Sequence, residues 1–252
     1  MRFAPLRQTM LVGAVALACA AAHAASQAPV AAENGMVVTA QHLATRVGVD
    51  VLKDGGNAID AAVAVGYALA VVYPAAGNLG GGGFMTIQLA DGRKTFLDFR
   101  EKAPLAATAH MYLDKDGNVI KGASTLGHLA VGVPGTVSGL ELAREKYGTM
   151  KRTTLLAPAI HLARDGFTLD QGDIDLLAPA TNDFKNDAAT AAIFLNKGEP
   201  FQAGQKLVQK DLAATLKLIS DKGSSGFYQG SVGAAIVASS QAGKGLITQA
   251  DL

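Results

Sequence analysis

The chain has 252 residues, 49% of them hydrophobic and 17% charged, with a formal net charge of +1. That mixture supports a sizeable buried core and excludes a disordered polyelectrolyte. With no long run of one sign and no tryptophan, it offers no electrostatic or stacking footprint for nucleic acid or an anionic membrane.

The first 24 residues read as a secretory signal: Arg2 and Arg7 at the start, an apolar run from Met10 to Ala22, and the cleavage pattern Ala22-His23-Ala24. The run is too short for a comfortable membrane span. A lipoprotein reading of Cys19 is weaker, because Leu17 stands one position off the usual lipobox. Cleavage after Ala24 would remove the only cysteine and leave no thiol for disulfides, catalysis or metal. The expected organisation is a signal over 1–24 and one region over 25–252, exported to the periplasm and free of the membrane once the signal is gone.

Met36–Ala40 reads as a short buried strand. Leu43–Lys53 reads as a helix closed by Gly55-Gly56. Asn57, with Asp60 three residues on, caps a second helix that runs to about Val72 and stops before Pro74; its many alanines permit close packing. Phe84–Ala90 and Lys94–Phe99 alternate as strands around the hairpin signal Asp91-Gly92. A second turn is expected around Asp116-Gly117. Helices are expected from Pro134 through Tyr147, from Leu155 to Asp165 before Gly166, from a cap at Asp211 through Ile219, and over Val232–Ser240. Residues 167–210 carry no decisive pattern. Helices gathered around an antiparallel hairpin, without regular βαβ alternation, indicate an α+β fold.

Two stretches carry most of the functional signal. Gly77-Asn-Leu-Gly-Gly-Gly-Gly-Phe84 has five glycines in seven positions, which suits close approach of the backbone to a ligand or neighbouring strand, or positive φ, and equally suits a tight packing turn. Leu97-Asp-Phe-Arg-Glu-Lys-Ala-Pro104 delivers Arg100 to the end of the hairpin near that loop. A guanidinium fixed there can hold a carboxylate, or pair with a structural acid. Glu101 beside it can orient the guanidinium or face solvent.

Rival chemistries fit poorly. A phosphate-binding loop needs a lysine and a hydroxyl after its last glycine, but Phe84 and Met85 follow here. His42, His110, His128 and His161 are isolated in sequence, with no metal-ligand spacing; His128 reads as structural. No serine or threonine sits in a nucleophile-elbow context, and Thr153-Thr154 reads as a helix start. Capping and backbone anchoring account for Asp54, Asp60 and Asp98.

Asp54-Gly-Gly-Asn-Ala-Ile-Asp-Ala-Ala-Val63, the Gly-rich loop, Leu97–Pro104, Gly127-His-Leu-Ala-Val-Gly-Val-Pro-Gly-Thr136 and Gly245-Leu-Ile-Thr248 occur in order. Together they closely resemble the large-subunit half of the γ-glutamyltransferases (γ-glutamyl transpeptidases), from about Asn34 to Leu252. The resemblance implies an N-terminal-nucleophile hydrolase fold, a four-layer αββα sandwich. It places Arg100 where the family's arginine binds the α-carboxylate of a γ-glutamyl substrate.

It further implies a precursor that cleaves itself before a threonine, whose freed amine and hydroxyl then open glutathione or related amides. The γ-glutamyl group passes to water, an amino acid or a dipeptide, and no metal or organic cofactor is required. The nucleophile, carried by a C-terminal small subunit, is expected beyond Leu252. Thr248-x-x-Asp251, a helix-start pattern with no helix after it, carries the same expectation of truncation. Two alternatives stand beside this one: an acylase of the same architecture acting on glutaryl- or cephalosporin-type β-lactam amides, and a non-catalytic binding protein lacking the nucleophile domain.

Overall fold

The computed structural model describes residues 29–252; the signal segment and Cys19 lie outside the described residues. The chain divides into a unit ending at Met36 and a unit of Val37–Leu252. Of the first, residues 29–36 are exposed and without regular structure. All that follows concerns the second.

Helix α1 (His42–Lys53) opens at Gln41, whose side chain accepts from Leu43 N, and ends at Asp54. Helix α2 (Ala58–Val72) starts in the capping box anticipated for Asn57 and Asp60 and stops before Pro74. Its residues are apolar nearly all round, which marks a helix buried on several sides. Val63, Tyr67, Val71 and Val72 are fully enclosed. The alanines between them let α1 and two later helices approach closely.

Strands β1 (Phe84–Gln88) and β2 (Lys94–Asp98) form the expected antiparallel hairpin, with Phe84 opposite Asp98 and Gln88 opposite Lys94. The alternation sends Ile87 and Leu97 into the core and leaves Phe84 and Phe96 more than half exposed on the outer face. Those two rings stack at 5.6 Å. The second expected turn forms with Gly117 at φ 83°, flanked by a single bridge between Leu113 and Val119.

Helix α3 (Thr136–Tyr147) ends at Gly148 as expected but begins two residues later than Pro134. Helix α4 (Arg152–Asp165) ends at Gly166, whose φ is 76°, and includes Thr153-Thr154 in its first turn. The unassigned stretch holds short pieces: β3 (Phe167–Thr168), α5 (Gln171–Leu177), α6 (Thr181–Asn186), α7 (Ala188–Phe194), β4 (Leu195–Asn196), β5 (Glu199–Pro200) and β6 (Lys206–Leu207). β3 pairs with β6 and β4 with β5, both antiparallel. Helix α8 (Lys210–Lys222), a single turn α9 (Ser225–Tyr228) and α10 (Gly230–Ala242) complete the element order.

Two expectations fail. Met36–Ala40 is not a strand: Val38 is 81% exposed, and among the described residues no strand pairs with the segment. Asp211 does not cap α8. Gln209 holds the N-cap position, its side chain turned away to donate to Val71 O at 2.9 Å, while Asp211 sits in the first turn, where a negative charge suits the helix dipole.

Two buried polar knots fix the helices. Asp60 is fully buried, and its carboxylate accepts from Asn57 N (2.9 Å), Thr149 Oγ1 (2.6 Å), Thr149 N and Met150 N. Burial alone would raise its pKa, but the bonds from Thr149, Asn57 and Met150 outweigh that and hold it below the usual value. The start of α2 is thereby tied to the α3–α4 turn. Glu141 of α3, also buried, accepts from Arg152 Nε at 2.6 Å and Arg144 Nη2 at 3.3 Å, joining α3 to α4.

Candidate functional site

Three segments far apart in sequence meet around residues 99–101. Gly83 and Phe99 exchange backbone hydrogen bonds of 3.0 and 3.3 Å, extending the hairpin by one pair. Lys102 and Val133 do the same at 2.7 and 3.2 Å. Gly81 O accepts from Gly135 N at 2.7 Å and Thr136 N at 3.0 Å, satisfying the first donors of α3, which lacks a side-chain cap. The Gly-rich loop, the strand end and the entry to α3 are thus one backbone assembly.

The glycines are there for space. None of those between Gly77 and Gly83 takes a positive φ. A Cβ on Gly82 would lie 2.7 Å from Arg100 Cα, and one on Gly83 would lie 2.8 Å from the Phe99 ring. A methyl at Gly135 would collide with the Phe99 carbonyl, one at Gly139 with the Phe99 ring, and one at Gly132 would press on Glu101 Cγ at 3.0 Å. Close packing accounts for Gly82 and Gly83, which meet residues 99–101, and for Gly77, which meets Leu69, whereas a Cβ on Gly80 would meet nothing within 4 Å.

Arg100 leaves this seat with its side chain 62% exposed. Its Cζ lies 5.7 Å from the centroid of the Phe84 ring. The Arg100 Nη2–Glu101 Oε1 distance is 3.9 Å, at the limit of an ion pair, and the Glu101 side chain is 42% exposed. Asp98 Oδ1 accepts from Arg100 N at 3.1 Å, the backbone-anchoring role expected for it. Beside Arg100 opens a cavity of about 470 Å³ lined by, among others, Asp98, Lys102, Ser138, Tyr228 and Asp251.

Two contributors, Asn78 and Tyr228, escaped the sequence reading. Asn78 accepts from Gly81 N at 2.7 Å and from Thr136 Oγ1 at 3.0 Å, and donates to Ala76 O at 2.9 Å. Tyr228 accepts from Ser138 N at 3.2 Å and donates to Pro134 O at 2.9 Å, bracing the start of α3 from the far side of the cavity. Its burial pushes the phenol pKa up. An asparagine inside a glycine run is a turn signal that could have drawn attention to Asn78; nothing local marks Tyr228.

The remaining sequence candidates sit elsewhere. His128 Nε2 lies 3.2 Å from Ser239 Oγ of α10, and its ring covers Gly243, a structural placement. The Thr248–Asp251 pattern forms locally: Asp251 Oδ2 accepts from Thr248 N and Oγ1, both at 2.7 Å, while Oδ1 accepts from Leu105 N at 2.6 Å. No described helix is long and apolar enough to cross a membrane.

Comparison with known proteins agrees with this geometry. Residues 44–252 match the family described as gamma-glutamyltranspeptidase. The chain is 75% identical over 242 residues to the glutathione hydrolase proenzyme of Pseudomonas sp. (strain A14), covering 95% of this chain and 42% of that protein. It is 49% identical over 225 residues to the glutathione hydrolase proenzyme of Escherichia coli (strain K12), covering 89% and 39%. The crystal structure of Helicobacter pylori gamma-glutamyltranspeptidase superposes with a TM-score of 0.87 at 48% identity, over 89% of this chain and 64% of that one. The chain therefore spans about two fifths of the length of these curated relatives. The fold is α+β, of the N-terminal-nucleophile hydrolase class, to which the described residues contribute helices and three two-stranded antiparallel sheets. With the family matched over most of the chain and its motifs gathered around Arg100, this chain belongs to the gamma-glutamyltranspeptidase family.

Proposed function

We propose that the chain is the larger-subunit part of an exported γ-glutamyltransferase that cleaves the γ-glutamyl amide of glutathione. In this reading Arg100 binds the donor's α-carboxylate. The observation that carries it is the state of Arg100. Its backbone is clamped by three motifs, while its guanidinium stands largely exposed at a cavity, with Glu101 no nearer than 3.9 Å. A planar fork held from behind and open in front suits bidentate capture of a carboxylate.

The chemistry then follows from position. Fixing the α-carboxylate fixes the γ-carbonyl, three carbons away, at the nucleophile, and the gain is chiefly orientation. The nucleophile is a threonine in a partner subunit released by self-cleavage. Its own amine takes the hydroxyl proton as oxygen attacks the γ-carbonyl. Collapse forms a γ-glutamyl ester and expels cysteinylglycine, whose amine receives that proton. Water then yields glutamate, or the amine of an amino acid or dipeptide accepts the group. No cofactor enters these steps. Residues 1–24 would direct export to the periplasm and be removed after Ala24.

The test is Arg100→Lys in the full-length precursor. Lysine keeps the charge but loses the fork. Once donor and partner subunit cover the guanidinium, truncating one partner of such a charge pair costs about 2–5 kcal/mol, roughly 30- to 4,000-fold. Turnover of γ-glutamyl-p-nitroanilide should fall within that range while self-cleavage, followed on a gel, continues. Near-normal kcat/KM would remove Arg100 from the donor site.

A further inference from the structure

We propose that Asn78 and Thr136 are positioning residues that set the place of Arg100, and so govern capture of the donor carboxylate; the inference rests on the function proposed above. Neither side chain reaches the guanidinium. They act on the loop that forms one wall of the Arg100 backbone.

The argument starts from a loop that cannot hold its own shape. A run of glycines loses more conformational freedom on ordering than any other sequence, so residues 77–83 need external ties. One carboxamide supplies three of them. Asn78 Nδ2 holds Ala76 O, and Oδ1 takes both Gly81 N and the Thr136 hydroxyl. Gly81 O returns the link by accepting from Gly135 N and Thr136 N. The loop is therefore closed on itself and fastened to the first turn of α3 through two acceptor oxygens, Asn78 Oδ1 and Gly81 O.

Immediately beyond that fastening come Gly82 and Gly83. A Cβ on Gly82 would sit 2.7 Å from Arg100 Cα, and Gly83 is in register with Phe99. On the opposite side, a Cβ on Gly135 would lie 3.0 Å from Arg100 O. Arg100 is thus held between the loop and the entry to α3, and the Asn78–Thr136 bond spans those same two walls. Thr136 is 8% exposed, so its hydroxyl has no ready solvent substitute once the acceptor is gone. Loss of the acceptor leaves Gly81 O alone to join the two walls and frees the loop to shift, and a displacement of roughly 1 Å in a positioning group can cost on the order of 10²-fold.

The test uses the full-length precursor with γ-glutamyl-p-nitroanilide. Asn78→Ala and Thr136→Val should lower kcat/KM by roughly 10- to 100-fold, mainly through KM. Asn78→Asp keeps an acceptor and Thr136→Ser keeps the hydroxyl, and both should recover most of the loss. Combined with Arg100→Lys, Asn78→Ala should add almost nothing, because both changes remove one interaction. Full additivity, or wild-type KM in Asn78→Ala, overturns the inference. If Thr136→Val does not fold, Asn78→Ala decides alone, since it trims an exposed side chain. Failure of the functional reading looks different: Arg100→Lys itself then matches the unaltered enzyme.

Discussion

Replacing Asp60 by asparagine removes one charge and almost no volume, so the response isolates the hydrogen bonding of one buried carboxylate. Its two oxygens face Asn57 N, Thr149 N, Thr149 Oγ1 and Met150 N. An asparagine keeps one acceptor, enough for Thr149 N and Met150 N, and the Thr149 hydroxyl can reverse to accept from the new amide. Asn57 N is then left facing a donor. A buried donor left unsatisfied costs about 1–3 kcal/mol, and the charge-assisted character of the other bonds is also lost. A destabilisation of about 2–3 kcal/mol follows, equivalent to a fall in Tm of roughly 4–12 °C at about 2–4 °C per kcal/mol for a domain of this size. The pH dependence has a definite sign. Because the folded pKa is held below 3.8, the carboxylate's stabilisation is fully present above the unfolded value and is lost as pH falls through the folded one. Melts of full-length protein at neutral pH and down through the acid range should show the two proteins converging below pH 3.8. An Asp60→Asn variant melting within about 1 °C of the parent at neutral pH would refute the claim that this knot holds α2 to the α3–α4 turn.

The second buried knot should respond more strongly. Glu141→Gln leaves Arg144 and Arg152, 15% and 24% exposed, without their shared carboxylate; breaking a buried pair costs about 3–5 kcal/mol, and partial solvation of both guanidiniums points to the lower end, read as a shift in urea midpoint. The exported form should begin at Ala25, by mass spectrometry of periplasmic material; an intact N-terminus or a lipid on Cys19 would overturn both the cleavage site and the anchor-free assignment.

The long helices and the hairpin were legible because each carries its own signal. Asn57 with Asp60 announces the start of α2, Pro74 its end, and Asp91-Gly92 the turn. The role proposed for Arg100 comes only through its motif, since spacing alone favours a structural partner over a carboxylate ligand. What composition could not disclose is what the glycines meet. Gly135 and Gly139 look like unremarkable helix-entry residues, yet both abut Phe99 from more than thirty positions away. The failed strand at Met36–Ala40 shows the same limit, because an apolar pentapeptide becomes a strand only where a partner offers hydrogen bonds. At Asp211 a good capping residue stood two positions inside the helix, the boundary being set instead by Gln209 reaching across to Val71. Residues 167–210 resisted reading because their elements are too short to establish any period.

The glycine-lined seat of Arg100 also determines which positions around it can vary. At Gly82, Gly83, Gly135 and Gly139 the smallest possible addition, one methyl, already intrudes on the segment from Phe99 to Glu101. Variation there displaces the segment that carries the arginine. Side-chain diversity introduced at these positions would act on the seat itself rather than on the cavity beside it. Asp98, Lys102, Ser138 and Tyr228 line the adjoining cavity. Asp98 and Tyr228 also anchor backbone around the seat, so Lys102 and Ser138 are where altered side chains can reshape the cavity while the arginine stays where it is.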